Sequence, residues 1–171
     1  MANIARDIFK AYDIRGIVGK TLTDEAAYLI GKAIATKASE KGITRIALGR
    51  DGRLSGPSLM AQIQRGFTDS GIDVLNVGMV ATPMLYFAAI NECGGSGVMI
   101  TGSHNPPDYN GFKMMLGGDT LAGEAIQELL AIIEKDGFVA ADKQGSVTEK
   151  DISSEYHNNI VGHIKLKRPM K

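Results

Sequence analysis

Helical periodicity alternates with short apolar runs between residues 20 and 135, and this alternation constrains the fold more than any other feature. Thr23 is a typical helix N-cap, and Gly42 suits the left-handed position that ends a helix. The apolar runs that follow such helices are typical of short buried strands. Strands separated by whole helices need crossover connections, which favour parallel pairing. The sequence therefore predicts a three-layer α/β fold, with helices flanking a largely parallel, mixed sheet of about four strands.

Apolar spacing and glycine or proline stops set the predicted bounds of these elements. The four predicted strands cover residues 45–49, 73–77, 97–101 and 112–116. Helices are predicted between them, one starting with Thr82 as N-cap and Pro83 in the first turn. Residues 138–150 are polar and turn-like, and the fourfold spacing that begins at Ile152 predicts a final amphipathic helix.

Charge and cysteine content exclude several classes of function. The 19 basic and 19 acidic residues balance, so the chain lacks the basic surplus expected of a nucleic-acid-binding protein. No stretch approaches the roughly 20 apolar residues of a membrane span, and the N-terminus lacks the apolar run of a signal peptide. The single cysteine, Cys93, excludes an internal disulfide and fits a reducing compartment. We expect a soluble cytoplasmic protein that binds neither nucleic acid nor membranes.

The segment 101–113 brings chemically active side chains together on one constrained loop. It follows a predicted buried strand, and loops beyond the carboxyl ends of strands are where open α/β sheets bind ligands. Two glycines and two prolines restrict its path. The loop offers a hydroxyl, an imidazole, an amide and an ammonium group, carried by Ser103, His104, Asn105 and Lys113.

From these residues alone, three roles for Ser103 remain open. It could be an acyl-transfer nucleophile with His104 as base, although adjacent side chains tend to diverge and the G-x-S-x-G pattern is absent. It could carry a phosphoryl group, for which backbone N–H groups and the Lys113 ammonium would supply donors and charge. It could also be a loop serine that only caps a turn.

Three segments resemble motifs of the α-D-phosphohexomutase family. Residues 101–106, Thr-Gly-Ser-His-Asn-Pro, with Tyr-Asn-Gly-Phe-Lys at 109–113, are similar to its phosphoserine loop. The family usually has alanine at the position of Gly102, and the change to glycine is expected to loosen the loop. Residues 9–16 resemble the opening motif of the phosphomannomutase/phosphoglucomutase branch, and residues 49–56 resemble the motif after the second strand. Three motifs in the family's order identify the chain as a member.

The resemblance implies an active site around Ser103, which carries the phosphoryl group and offers Mg²⁺ a ligand through that phosphate. Arginine suits phosphate because its planar fork binds two oxygens, so Arg15 is expected to face a phosphate. Arg50, Asp51 and Arg53 are expected to belong to the site or to form a local ion-pair turn. The implied catalytic residues are Ser103, His104, Lys113 and Arg15, and the implied substrate-binding residues are Tyr12, Arg15, Asn105 and Lys113.

The implied activity is that of a phosphohexomutase, an intramolecular phosphotransferase that interconverts the 1- and 6-phosphates of mannose or glucose. The reaction runs through a phosphoserine and a bisphosphorylated sugar, so a hexose 1,6-bisphosphate is expected to activate the enzyme. In the family, the Mg²⁺ carboxylates lie in a second domain, and the loops that bind the sugar hydroxyls and the distal phosphate lie in a third and a fourth domain. We therefore expect residues 1–150 to be a first domain, 151–171 to be a linker helix towards a second domain, and the isolated chain to be inactive. The alternative is a non-catalytic module that binds phosphosugars.

Overall fold

A seven-stranded mixed sheet forms the middle layer of the computed structural model, which describes residues 4–165. The strands are β1 Ile14–Ile17, β2 Arg45–Arg50, β3 Asp73–Met79, β4 Gly97–Ile100, β5 Tyr109–Leu116, β6 Asp119–Thr120 and β7 Val147–Glu149. The α-helices in this part of the chain are α1 Asp24–Glu40, α2 Gly56–Asp69, α3 Thr82–Glu92, α4 Glu124–Glu134 and α5 Ser153–His163. The strands lie in the order β1-β5-β4-β2-β3-β7, with β6 paired to β5.

The predicted α/β class with flanking helices is confirmed, and the sheet has more strands than the expected four. Parallel pairs join β2 to β3, β2 to β4 and β3 to β7, whereas β5 pairs antiparallel with β1, β4 and β6. The β5 strand is antiparallel because only the short loop 101–108, with no crossover helix, separates it from β4. The turn-like interpretation of 138–150 is wrong at β7, whose three residues are exposed and carry no apolar pattern.

The two faces of the sheet bury different helices. Ile46, Leu48, Val98 and Ile100 point to the face covered by α1, α2 and α4. The alternate residues Ala47 and Met99 pack on the opposite face against α3 and Ile152, which precedes α5. Because helices cover both faces of the sheet, a ligand-binding site is expected at the edge where the parallel strands end.

Helix ends follow the predicted signals with one correction. The Thr23 hydroxyl accepts a hydrogen bond from the Ala26 N–H at 3.1 Å and caps α1. Thr82, expected to cap α3, instead lies inside the first turn together with Pro83, and Ala81 is the cap residue. Proline is tolerated in this turn because the first N–H groups of a helix have no partner within it.

The final helix packs lightly on the rest of the chain. Tyr156 makes an edge-to-face contact with Phe87 of α3, with ring centroids 5.6 Å apart. Val161 and Ile164 are 71% and 55% exposed. Residues 166–171 of the predicted linker lie outside the described residues. No helix in the described part of the chain is long and apolar enough to cross a membrane.

Candidate active site

Two loops meet at the carboxyl edge of the sheet because the strands before them are parallel neighbours. Residues 51–55 follow β2 and residues 101–108 follow β4, and Arg50 pairs in register with Ile100. The Asp51 N–H donates to the Ile100 carbonyl at 2.9 Å, which extends the pairing into the loops. The motif at residues 49–56 and the motif at residues 101–113 therefore lie side by side on one surface.

Ser103 holds a backbone conformation that a serine rarely adopts. Its φ is 52°, in the left-handed region, which costs an L-residue roughly 1–2 kcal/mol. Its N–H donates to the Thr101 hydroxyl at 2.9 Å, and both the backbone and side-chain nitrogens of Asn105 donate to the Gly102 carbonyl. These bonds close a tight turn, and the Ser103 side chain is exposed on its outer surface.

Arg53 crosses from the first loop to the second and is 17% exposed. One terminal nitrogen, Nη1, donates to the carbonyls of Pro106 and Tyr109, at 2.6 and 2.9 Å. The other, Nη2, donates to the carbonyls of Ser103 and Asn105, at 3.2 and 2.7 Å. The loop is thus wrapped around one guanidinium group.

Asp51 contacts both Arg53 and the loop that Arg53 binds. Its carboxylate lies 3.5 Å from Arg53 Nε and accepts from the Arg53 backbone N–H at 3.0 Å. The Gly102 N–H donates to the other carboxylate oxygen at 3.2 Å. The predicted ion-pair turn exists, and it also reaches across to the Ser103 loop. Arg50 does not take part in this contact, since its guanidinium donates to the Asp51 carbonyl.

Arg15 reaches the loop from the edge strand β1. Its Nη1 donates to the Gly102 carbonyl at 3.1 Å, and its Nη2 pairs with the Asp13 carboxylate. Arg15 lies opposite Gly111 of β5 in the antiparallel register. Because Gly111 has no side chain, the backbone of β1 at Ile14 and Arg15 can lie close against β5. The Arg15 Nε is buried without a hydrogen-bond partner among the described residues.

Lys113 lies on the same face of β5 as Gly111, the residue that pairs with Arg15 of β1, because residues two apart on a strand share a face. Lys113 pairs in register with Met99 of β4. Its side chain is partly buried and forms no ion pair or hydrogen bond with the described residues. Arg15 and Arg53 thus bring two cationic groups to the loop, with the Asp13 and Asp51 carboxylates facing them.

The other predicted site residues are less closely tied to Ser103. Tyr12 lies in the tight turn before β1, is 78% exposed, and makes no side-chain hydrogen bond within residues 4–165. His104 is exposed and, over the same residues, makes no hydrogen bond to Ser103. The side-chain amide of Asn105 donates to the Gly102 carbonyl and so helps to close the loop. The structure therefore brings Arg15, Asn105 and Ser103 together. Tyr12 and His104 are exposed at the edge of this group, which we call the rim of the site.

The described residues do not form a metal site by themselves. Between residues 4 and 165, no three His, Cys, Asp or Glu side chains cluster as metal ligands. The nearby carboxylates of Asp13 and Asp51 already face guanidinium groups. Mg²⁺ prefers several oxygen ligands in an octahedral arrangement, and this surface lacks such a set.

Comparison with known proteins identifies the family. The family described as "Phosphoglucomutase/phosphomannomutase, alpha/beta/alpha domain I" matches residues 6–140. This chain belongs to the phosphoglucomutase/phosphomannomutase family. The resemblance drawn from three motifs is confirmed, and the matched range contains all residues of the predicted site.

Relatives in this family match along almost the whole chain. It is 92% identical over 171 residues to the phosphoglucomutase of Neisseria meningitidis serogroup A, covering 100% of this chain and 37% of that protein. It is 54% identical over 164 residues to the phosphomannomutase/phosphoglucomutase of Pseudomonas aeruginosa, covering 96% of this chain and 35% of that protein.

A solved phosphoglucomutase/phosphomannomutase family protein from Burkholderia thailandensis superposes with a TM-score of 0.91 at 45% identity, over 98% of this chain and 38% of that one. The chain thus spans little more than a third of the length of these family members.

Arg53 is the residue whose placement the motifs did not specify. The sequence placed it in a family motif, but its contacts are backbone carbonyls, which no residue pattern reveals. The expectation that Gly102 loosens the loop stays a prediction. A side chain at Gly102 would overlap the Arg53 guanidinium, so the space is filled.

Proposed function

We propose that this chain is the first domain of a phosphohexomutase that interconverts the 1- and 6-phosphates of glucose or mannose, with Ser103 as phosphoryl carrier. The observation that carries the proposal is the exposed Ser103 on a hydrogen-bonded loop beside the guanidinium groups of Arg15 and Arg53. A phosphoserine carries about two negative charges and three strong acceptor oxygens. Cationic groups around an exposed hydroxyl suit such a group better than they suit a neutral acyl ester.

In the proposed reaction, phosphorylated Ser103 donates its phosphoryl group to a free sugar hydroxyl. The bond between phosphorus and the Ser103 Oγ breaks, a bond to the sugar oxygen forms, and the proton of the sugar hydroxyl passes by way of a base to the departing Oγ. The resulting bisphosphorylated sugar turns over in the site and returns its other phosphate to Ser103. Phosphoryl transfer depends mainly on positioning and on charge neutralisation, which a fixed loop flanked by cations supports.

Lys113 is proposed as the proton handler, and Arg15 as a phosphate-facing group. Lys113 lies on the same face of β5 as Gly111, the residue paired with Arg15, and forms no ion pair with another described residue. An amine that accepts the hydroxyl proton must be neutral at that moment, and it then passes the proton to the departing Ser103 Oγ; the second half-reaction runs the same transfer in reverse. The competing role for Lys113 is that of a fixed cation that only neutralises phosphate.

The rim residues are proposed to contact the sugar phosphate. Tyr12 is mostly exposed in the turn before Arg15, where a ring can lie against a sugar. His104 follows Ser103 directly and is free to turn towards a bound ligand. Asn105 is held beside Ser103 by its bond to the Gly102 carbonyl, at 3.2 Å.

Mg²⁺ and a hexose 1,6-bisphosphate complete the proposed enzyme. Bound Mg²⁺ would neutralise charge on the transferred phosphoryl group, with one ligand from the Ser103 phosphate. Its other ligands would come from outside this chain, because no suitable cluster exists among the described residues. We also propose that residues 1–150 are the first domain, that 151–171 link it to a second, and that the enzyme is cytoplasmic.

The test is phosphate loading of Ser103 in the full-length enzyme that contains this domain. The enzyme is incubated with glucose 1,6-bisphosphate, and phosphopeptides are mapped by mass spectrometry. Ser103→Ala should abolish loading, whereas the control Ser58→Ala, an exposed hydroxyl on α2 bonded to Asp24, should load normally. Phosphate at Ser55 or Ser96 with Ser103 empty would contradict the proposal.

The alternative, a non-catalytic phosphosugar-binding module, makes a different prediction. Such a module would bind the bisphosphate without becoming phosphorylated and without interconverting hexose phosphates. The isolated chain is expected to show no mutase activity with mannose or glucose 1-phosphate, since it carries one part of a larger site. Robust turnover by the pure chain would show that the site is complete without further domains.

A further inference from the structure

Arg53 has no donor left for a ligand. Each of its four terminal N–H groups has a different acceptor: the peptide carbonyls of Ser103, Asn105, Pro106 and Tyr109. Its remaining N–H, on Nε, faces the Asp51 carboxylate at 3.5 Å. An arginine that recognised a substrate phosphate would need two parallel donors free. Arg53 therefore acts on the protein backbone.

One of the carbonyl groups that accept from Arg53 belongs to Ser103, the residue with the left-handed backbone conformation, whose φ is 52°. Asp51 holds the other side of the same turn, because it accepts from the Gly102 N–H at 3.2 Å. The pair thus bonds to backbone groups on both sides of the Ser103 Cα.

Gly102 makes this arrangement possible. A Cβ at residue 102 would overlap the Cζ and Nε of Arg53, and would lie 2.7 Å from its Nη1. With glycine there, the guanidinium lies directly against the loop backbone. Glycine, arginine and aspartate therefore form one unit that spans the two loops.

We propose that Arg53, fixed by Asp51 and admitted by Gly102, is a positioning residue that holds Ser103 in its left-handed conformation for phosphoryl transfer. The inference rests on the proposed role of Ser103 as phosphoryl carrier. Arg53 touches neither substrate nor reacting atoms in this role. Its removal should therefore misplace the phosphoryl group while leaving the binding of the sugar phosphate largely intact.

The first experiment is Arg53→Lys in the full-length enzyme, assayed with glucose 1-phosphate and activating glucose 1,6-bisphosphate. Lysine keeps the charge but has three donors on one nitrogen and no planar fork, so it cannot hold four separate carbonyls. Because misplacement by about 1 Å can cost about 100-fold in rate, kcat should fall by about that factor. KM should change less than about threefold, since substrate contacts are retained.

The matched control is Arg65→Lys on α2. Arg65 is 60% exposed, pairs with Asp69 and lies over the Tyr28 ring, away from the loop. It should keep wild-type kcat and KM. Hydrogen exchange should show faster exchange at the amides of residues 102–109 in Arg53→Lys, and wild-type exchange there in Arg65→Lys. The thermal midpoints of both variants should remain within a few degrees of wild type.

A second variant separates positioning from a loss of fold. Arg53→Ala leaves a space of guanidinium shape lined by carbonyl oxygens, so millimolar guanidinium ion should restore part of its kcat. Methylammonium at the same concentration should restore much less, because it lacks the planar set of donors. Rescue by guanidinium with unchanged KM would support positioning even if Arg53→Ala is less stable than wild type.

The outcomes distinguish this inference from the proposed function. If wild-type Ser103 fails to load phosphate, the proposed function fails and the inference fails with it. If the wild type loads and turns over, and Arg53→Lys does so at the same kcat, only the positioning role is overturned. A rise in KM with unchanged kcat would also overturn it, since that result would assign Arg53 to substrate binding.

Discussion

Gly111→Ala tests whether the close approach of β1 to β5 places Arg15 at the Ser103 loop. A Cβ at residue 111 would overlap the Ile14 carbonyl oxygen and lie 3.1 Å from the Cα of Arg15. Both obstacles are backbone, which cannot rotate away. Strand β1 must therefore move outward by about 1 Å to regain normal van der Waals separation.

Two effects of this movement can be estimated. Overpacking typically costs about 1–3 kcal/mol, and replacing a strand glycine returns roughly 0.5–1 kcal/mol of backbone entropy. A net loss of about 1–2 kcal/mol lowers the thermal midpoint of a chain this size by roughly 2–8 °C. The same shift breaks the 3.1 Å bond from Arg15 to the Gly102 carbonyl, and kcat of the full-length enzyme should fall about 100-fold.

The assay pairs thermal unfolding of the chain with turnover of the full-length enzyme. Gly137→Ala is the control, because its nearest neighbour, the Ile132 carbonyl oxygen, would be 3.7 Å from the new Cβ. That variant should keep wild-type turnover and gain up to about 1 kcal/mol of stability. A Gly111→Ala enzyme with wild-type midpoint and wild-type kcat would refute the reasoning, since Arg15 would then not depend on the strand register.

Three further predictions concern other residues. Lys113→Arg should lower kcat by about 10²–10⁴-fold if Lys113 handles the proton, and near-normal turnover with intact phosphoserine would leave only the fixed-cation role. Burial raises the pKa of Cys93 to about 11, so at pH 8 its alkylation by iodoacetamide should be at least about 200-fold slower than that of a free thiol; comparable rates would contradict its burial. Hydrogen bonds from the Ser146 N–H and hydroxyl lower the pKa of Asp73, so its stabilisation is present above the unfolded pKa near 4 and is lost as pH falls through the folded value. Urea midpoints of Asp73→Asn should accordingly fall less on acidification than those of wild type.

Much of the fold could be predicted from local spacing. The predicted strands 45–49, 73–77 and 97–101 correspond to β2, β3 and β4, which lie inside the sheet and whose buried residues form short apolar runs. The strands β1, β6 and β7 could not be predicted in this way, because they are two to four residues long and lie at edges or hairpins. Their pairing is set by neighbouring strands rather than by their own pattern.

The candidate site was predictable as a set of residues and not as a set of contacts. Motifs name Ser103, Arg15 and Lys113, but the route of Arg15 depends on the β1–β5 register, which no local spacing encodes. A glycine lies beside each arginine: Gly111 lets the backbone of β1, which carries Arg15, come close to β5, and Gly102 leaves room for the Arg53 guanidinium. The bonds of both arginines to the loop go to peptide carbonyls, which every residue type carries. Each glycine therefore marks a place where another part of the chain comes close to the backbone. The sequence shows the glycine, and the folded structure shows which segment approaches it.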